Sequence, residues 1–167
     1  MVFFGGEGKR KEAASQSVKS AGKASSEITY DAGLVDKLKE EHRELIGILI
    51  AVRKAATEGR FNLVSDLLAS FKHSFLNHVG LENVKLYVYM QQHGAQDADT
   101  LSSVSDVRKE MNEIARMVMK FIDTHIVESP SPVTVTDFHA QLDQAEAVLA
   151  KRIQIEENHL YPLYRAG

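Results

Sequence analysis

The sequence predicts an all-α protein: an up-down-up-down four-helix bundle with a flexible N-terminal tail. Three observations carry this expectation. Apolar residues recur at steps of three, four and seven along four long stretches between residues 31 and 165, the period of a helix that buries one face. The breaks between the stretches hold Gly59, Gly94 and the pair Pro130 and Pro132, residues that stop helices. No segment alternates for long enough to make a strand. Val133-Thr134-Val135-Thr136 does so only briefly, after two prolines.

Composition narrows the class of function. The chain is 44% hydrophobic and 26% charged with a net charge of −3, ordinary for a globular domain and unsuited to nucleic acid or an anionic membrane. It has no cysteine, so disulfides, thiolate catalysis and iron–sulfur clusters are excluded. No apolar run reaches bilayer length. The opening Met1-Val2-Phe3-Phe4-Gly5-Gly6 lacks the charged start and long apolar run of a signal peptide, and a cytoplasmic location is expected. No nucleophile–base pair or phosphate-binding glycine loop points to an enzyme, and no catalytic residue is assigned.

Residues 1–30 are dominated by Gly, Lys, Ala and Ser, too little apolar surface to offset the entropy of ordering. Residues 31–165 form the bundle. The first helix starts near Asp31, a candidate N-cap, and runs to about Glu58 on Leu34, Leu38, Leu45, Leu49 and Val52. The second runs from Phe61 or Asn62 to His93 on Val64, Leu67, Leu68, Phe71, Phe75, Leu86 and Tyr89. The link Gly59-Arg60 is short enough to make these two antiparallel neighbours. The third runs from about Thr100 to Ile126 on Val104, Val107, Met111, Ile114, Val118, Phe121 and Ile122. The fourth follows a Thr136 or Asp137 cap to about Tyr164, on Phe138, Leu142, Ala145, Leu149, Ile153, Leu160 and Leu163.

Polar residues embedded in these apolar faces locate a site. His42 lies on the stripe of the first helix, His78 and Glu82 on that of the second, His125 near the end of the third, and Arg152 and Glu156 on the fourth. His73, His93, His139 and His159 fall at the surface or at helix ends. A buried carboxylate needs a partner cation or a metal. Counting from the shared turns puts His42 within about 3 Å of the height of His78 at 1.5 Å per residue. Met111, Arg152 and Glu156 fall in the same layer, whereas His125 lies roughly 20 Å away. An internal repeat pairs the same positions. Glu41-His42-Arg43-Glu44-Leu45 matches Glu110-Met111-Asn112-Glu113-Ile114, and His78-x-x-x-Glu82-Asn83-x-x-Leu86-Tyr87 matches Arg152-x-x-x-Glu156-Glu157-x-x-Leu160-Tyr161.

With Glu40-Glu41-His42-Arg43-Glu44-Leu45, His78-x-x-x-Glu82 and Glu156-Glu157-Asn158-His159-Leu160-Tyr161-Pro162, the chain resembles the bacterial hemerythrin-like proteins of the HHE cation-binding class over residues 31–165. The resemblance implies a four-helix bundle that holds iron and, in some members, binds dioxygen. It assigns His42, His78 and Glu82 to a first half-site and Glu156 to the carboxylate of a second. Met111 and Arg152 stand where the family carries histidines, and neither suits a hard metal ion.

Two readings follow. The first is a metal-binding sensor or regulator, with mononuclear or di-iron iron held by His42, His78, Glu82 and Glu156 and open to dioxygen or nitric oxide. The second is a degenerate, metal-free bundle that recruits a protein partner, with Arg152 paired to Glu82 and Glu156 in place of the cation. A di-iron oxidoreductase needs a fuller ligand set than this chain carries.

Overall fold

The computed structural model describes residues 27–94 and 98–166. Every regular element among the described residues is helical. Helix α1 spans Leu34–Thr57, α2 Phe61–Leu81, α3 Ala98–Val127 and α4 Val135–Ile155. Helix α2 continues through a π-helical segment, Glu82–Leu86, an α turn, Tyr87–Tyr89, and a second π segment, Met90–Gly94. Helix α4 continues through a π segment, Glu156–Leu160, and a 3₁₀ turn, Tyr161–Leu163.

The chain's own chemistry sets these boundaries. Helix α1 ends in a Schellman turn: Gly59 N–H donates to the Ala56 carbonyl at 3.1 Å and Arg60 N–H to that of Ala55 at 2.8 Å. Gly59 sits at φ 71°, where a side chain would strain. Asp31 does not cap α1. Its carboxylate accepts from Gly33 N–H at 3.0 Å and so fixes the turn before a helix that starts at Leu34. Helix α4 begins at Val135 rather than after Thr136 or Asp137, because Ser131 and Thr134 close a turn directly before it. Ser131 N–H donates to Thr134 Oγ1 at 2.9 Å, and Val135 N–H to the Ser131 carbonyl at 2.9 Å. The alternating Val133–Thr136 stretch is thereby drawn into that turn and helix.

Each long helix lies against two others: α1 on α2 and α4, and α3 on α2 and α4. Lys72 of α2 meets Asp123 of α3 at 2.7 Å, Ser65 meets Ser129 just past the end of α3, and Asn83 in the first π segment meets Arg108 of α3 at 3.0 Å. Between α1 and α4, Arg53 reaches Asp143 and Glu146, both at 2.6 Å.

The buried apolar residues form two bodies. One is built from Leu45–Ala56, Val64–Phe75, Met111–Ile122 and Phe138–Leu149. The other holds Leu34, Leu38, Leu86, Tyr87, Tyr89, Met90, Val104, Leu160, Tyr161 and Tyr164. His42, His78, Glu82, Arg152 and Glu156 are buried too, and on each of their helices they fall in sequence between the two bodies. Tyr89 and Tyr164 pack with Tyr30 as an aromatic end layer, with Tyr164 4.9 Å from Tyr89. Of the tail expected over residues 1–30, residues 1–26 lie outside the described residues. Ile28 N–H donates to Gln92 at 2.8 Å and Tyr30 stacks on Tyr164 at 5.0 Å.

Candidate metal centre

Helical spacing brings the polar layer together. His42 and His78 come from α1 and α2, which the tight turn at Gly59 folds side by side. His78 and Glu82 are one turn apart on α2, as Arg152 and Glu156 are on α4. Donor atoms of His42, His78, Glu82 and Glu156 all lie within 4.8 Å of one another. Each of these residues is at most 2% exposed, so water does not offset the concentration of lone pairs.

The imidazoles are oriented from behind. His42 Nδ1 lies 2.9 Å from Glu157 Oε1, and His78 Nδ1 lies 3.0 Å from Glu41 Oε2. A carboxylate at Nδ1 fixes the proton there and leaves Nε2 as the donor to a metal. The two Nε2 atoms then face each other at 3.1 Å. Glu156 Oε2 is 3.2 Å from His42 Nε2, and Glu82 Oε2 is 3.9 Å from His78 Nε2. Tyr161 O–H donates to Glu82 Oε1 at 2.9 Å and lies 3.3 Å from His42 Nε2. Glu82 Oε2 is buried with no hydrogen-bond partner.

Protons answer this crowding in part. Burial pushes His42 down, but hydrogen bonds and charge from Glu156 and Glu157 outweigh it and hold the imidazole above its ordinary value. Burial and the nearby His42 lower His78. Burial, then the Glu156 charge, push Glu82 well above the usual carboxylate range, against Tyr161 and Arg152. Burial works to raise Glu156 as well, but the His42 hydrogen bond and the Arg152 charge hold it low. Burial, then the charge of Glu82, also raise Tyr87 and Tyr161, keeping both phenols protonated. The layer thus favours an extra positive charge at His42 and a neutral carboxyl at Glu82.

A metal ion fits the same atoms. Two nitrogens each about 2.0–2.1 Å from one ion can stand no more than about 4 Å apart, and the two Nε2 atoms, 3.1 Å apart, meet that limit. Two neutral imidazoles and two carboxylates suit iron, manganese or zinc. A metal there would give the orphaned Glu82 oxygen the partner it lacks.

Arg152 completes the layer. Its Nε donates to Glu156 Oε1 at 2.7 Å and its Nη2 to Tyr87 Oη at 2.9 Å. Nη1 is buried without a partner. The expected pairing of Arg152 with both carboxylates is therefore realised at Glu156 alone. A cavity of about 20 Å³, room for about one water molecule, adjoins the cluster and is lined by His42, Phe75, His78, Met111, Arg152 and Glu156.

The other histidines stand apart. His125 hydrogen-bonds Gln141 at 3.1 Å and His73 bonds Asn77 at 3.0 Å. His93 packs on Tyr89 at 4.7 Å, and His159 is exposed. His139, expected at the surface, is half-buried beside Phe138. Sequence reasoning left out Glu41, Glu157, Tyr87 and Tyr161 as members of the centre. A signal for the tyrosines was present: each follows its repeat's glutamate by five residues. Both glutamates open π segments, Glu82–Leu86 and Glu156–Leu160, whose hydrogen bonds span five residues. Each tyrosine then reaches across to the other repeat, Tyr87 to Arg152 and Tyr161 to Glu82.

Packed helices around buried histidines and carboxylates define a class, helical proteins with a histidine–carboxylate centre in the core. The family model described as the hemerythrin HHE cation-binding domain matches residues 33–164, and the chain belongs to that family. No curated protein and no solved structure matches it.

Proposed function

We propose that this chain is an up-down-up-down hemerythrin-like bundle of residues 31–165 that binds iron through His42, His78, Glu82 and Glu156. It senses or regulates by binding a small molecule such as dioxygen or nitric oxide. One observation carries the reading: two Nε2 atoms 3.1 Å apart converge with an unpartnered Glu82 oxygen in a layer closed to water. Lone pairs brought together without enough protons call for a cation. Membership in a cation-binding family supports the same conclusion. A cytoplasmic setting belongs to this reading and rests on composition.

Bound iron would supply a redox-active Lewis acid with coordination positions open to a diatomic ligand. The residues around it do the rest. Glu41 and Glu157 hold the protons at Nδ1 of His78 and His42, so each Nε2 stays a donor. The Tyr161 hydroxyl holds Glu82 Oε1 and leaves Oε2 free. Phe75 and Met111 give the adjoining cavity an apolar wall. Among the described residues no helix is long and apolar enough to cross a membrane.

The 2.7 Å pair of Arg152 and Glu156 favours the second reading, a metal-free bundle acting as a protein-interaction module. Elemental analysis of protein purified without a histidine tag separates the two. Iron near one equivalent or above supports the first; a stable, helical, metal-free protein that takes up no added iron supports the second. A change in the absorption spectrum of the iron-loaded protein on adding dioxygen or nitric oxide would then establish ligand binding.

A further inference from the structure

The internal repeat lays out two half-sites, and only one of them is equipped for a metal. His42, His78 and Glu82 make up the first. Met111, Arg152 and Glu156 occupy the equivalent positions of the second, with both glutamates opening a π segment. Arg152 is thus the counterpart of His78. We infer that the Arg152 guanidinium is the fixed second cation of this centre, so that the chain holds one metal ion and not two. This rests on the reading of the cluster as a metal site.

The geometry supports the assignment. Glu156 is shared between two directions: Oε1 accepts from Arg152 Nε at 2.7 Å, while Oε2 lies 3.2 Å from His42 Nε2. One oxygen is committed to the guanidinium and the other faces the histidine pair. Arg152 is 1% exposed, and it is anchored at its far edge by Tyr87 at 2.9 Å. A guanidinium stays charged at any working pH, so this positive charge is permanent. Met111, buried at the helix-α3 position that repeats His42, adds a thioether to the cavity wall, a poor donor for a hard ion. Together the two residues fill the second half-site with a charge and an apolar wall.

The test loads metal-free protein with excess ferrous iron under anaerobic conditions, removes unbound iron and measures iron per chain. Electron paramagnetic resonance after oxidation follows. The wild type is expected to hold one iron per chain and to give the signal of an isolated high-spin ferric ion. The double variant Met111→His/Arg152→His is expected to hold two, with the oxidised signal lost to coupling between them. Two irons in the wild type, or one in a folded double variant, would overturn the inference and leave the metal site standing. No iron in the wild type would overturn the metal reading and this inference with it. The wild-type measurement needs no variant, so a double variant that fails to fold leaves it decisive.

Discussion

His42 and His78 are made useful by Glu157 and Glu41, which hold their Nδ1 atoms at 2.9 and 3.0 Å. Such outer carboxylates set the tautomer and raise the basicity of the imidazole. Glu41→Gln and Glu157→Gln are each expected to weaken iron binding about 10- to 100-fold, measured by competition with a chelator. His42→Ala or His78→Ala should abolish stoichiometric binding. The metal-free protein carries a pH signature of its own. Glu82 and His42 are both held above their ordinary values. Each therefore contributes stability that is complete below its unfolded value and lost as pH rises through its folded one. His78 and Glu156 are held low, so their contributions are complete above their unfolded values. As pH rises from about 7, above the ordinary histidine value, to a more alkaline pH, the low-held pair is already complete, so the first pair alone changes and metal-free protein should lose stability. Glu82→Gln should reduce that loss, stabilising the metal-free form at the upper pH by about 1–3 kcal/mol. Denaturant titrations at both pH values check it.

At the scale of elements, the turn at Gly59 sets how α1 meets α2 and so how His42 meets His78. Its positive φ makes Gly59→Ala cost about 1–2 kcal/mol in denaturant titration. Iron content should stay at the wild-type level, because the substituted Cβ meets no neighbouring atom within 4 Å. The helices and their buried faces were legible in the sequence because a 3.6-residue period leaves a direct mark in apolar spacing. Leu38, Leu45, Phe71, Val118 and Leu142 are all buried as that period requires. The starts of α1 and α4 were less legible, since Asp31 and the Ser131–Thr134 pair cap turns rather than helices. The π segments left no compositional trace. Beyond their five-residue spacing from Glu82 and Glu156, Tyr87 and Tyr161 carry no mark of a polar role, although their hydroxyls enter the polar layer. Glu41 and Glu157 stood beside ligand-type residues in sequence, but a residue next to a core position points sideways, and only the packed helices show what it reaches.

For the whole molecule, the polar layer divides the buried residues into two apolar bodies. The layer's residues were legible because charged groups interrupt an otherwise apolar stripe. Their pairing was not, because the choice between Arg152 and a metal as partner to Glu82 depends on distances of a few ångströms. Phe138 lies in the larger body, and Phe138→Ala should cost about 3–5 kcal/mol in metal-free and iron-loaded protein alike. Iron should stabilise the native state by mass action, since the unfolded chain holds no assembled site. Stripping it with a chelator is then expected to lower Tm, and re-addition to restore it. The same treatment of a His42→Ala/His78→Ala variant should leave Tm unchanged.

These four side chains are proposed to hold one metal between them. Anomalous diffraction from crystals of the iron-loaded chain, collected on either side of the iron absorption edge, tests it most directly. A single difference peak is expected within bonding distance of His42 Nε2, His78 Nε2, Glu82 Oε2 and Glu156 Oε2. Crystals soaked in iron that show no peak among those four atoms, with Arg152 still closed on Glu156, would contradict it.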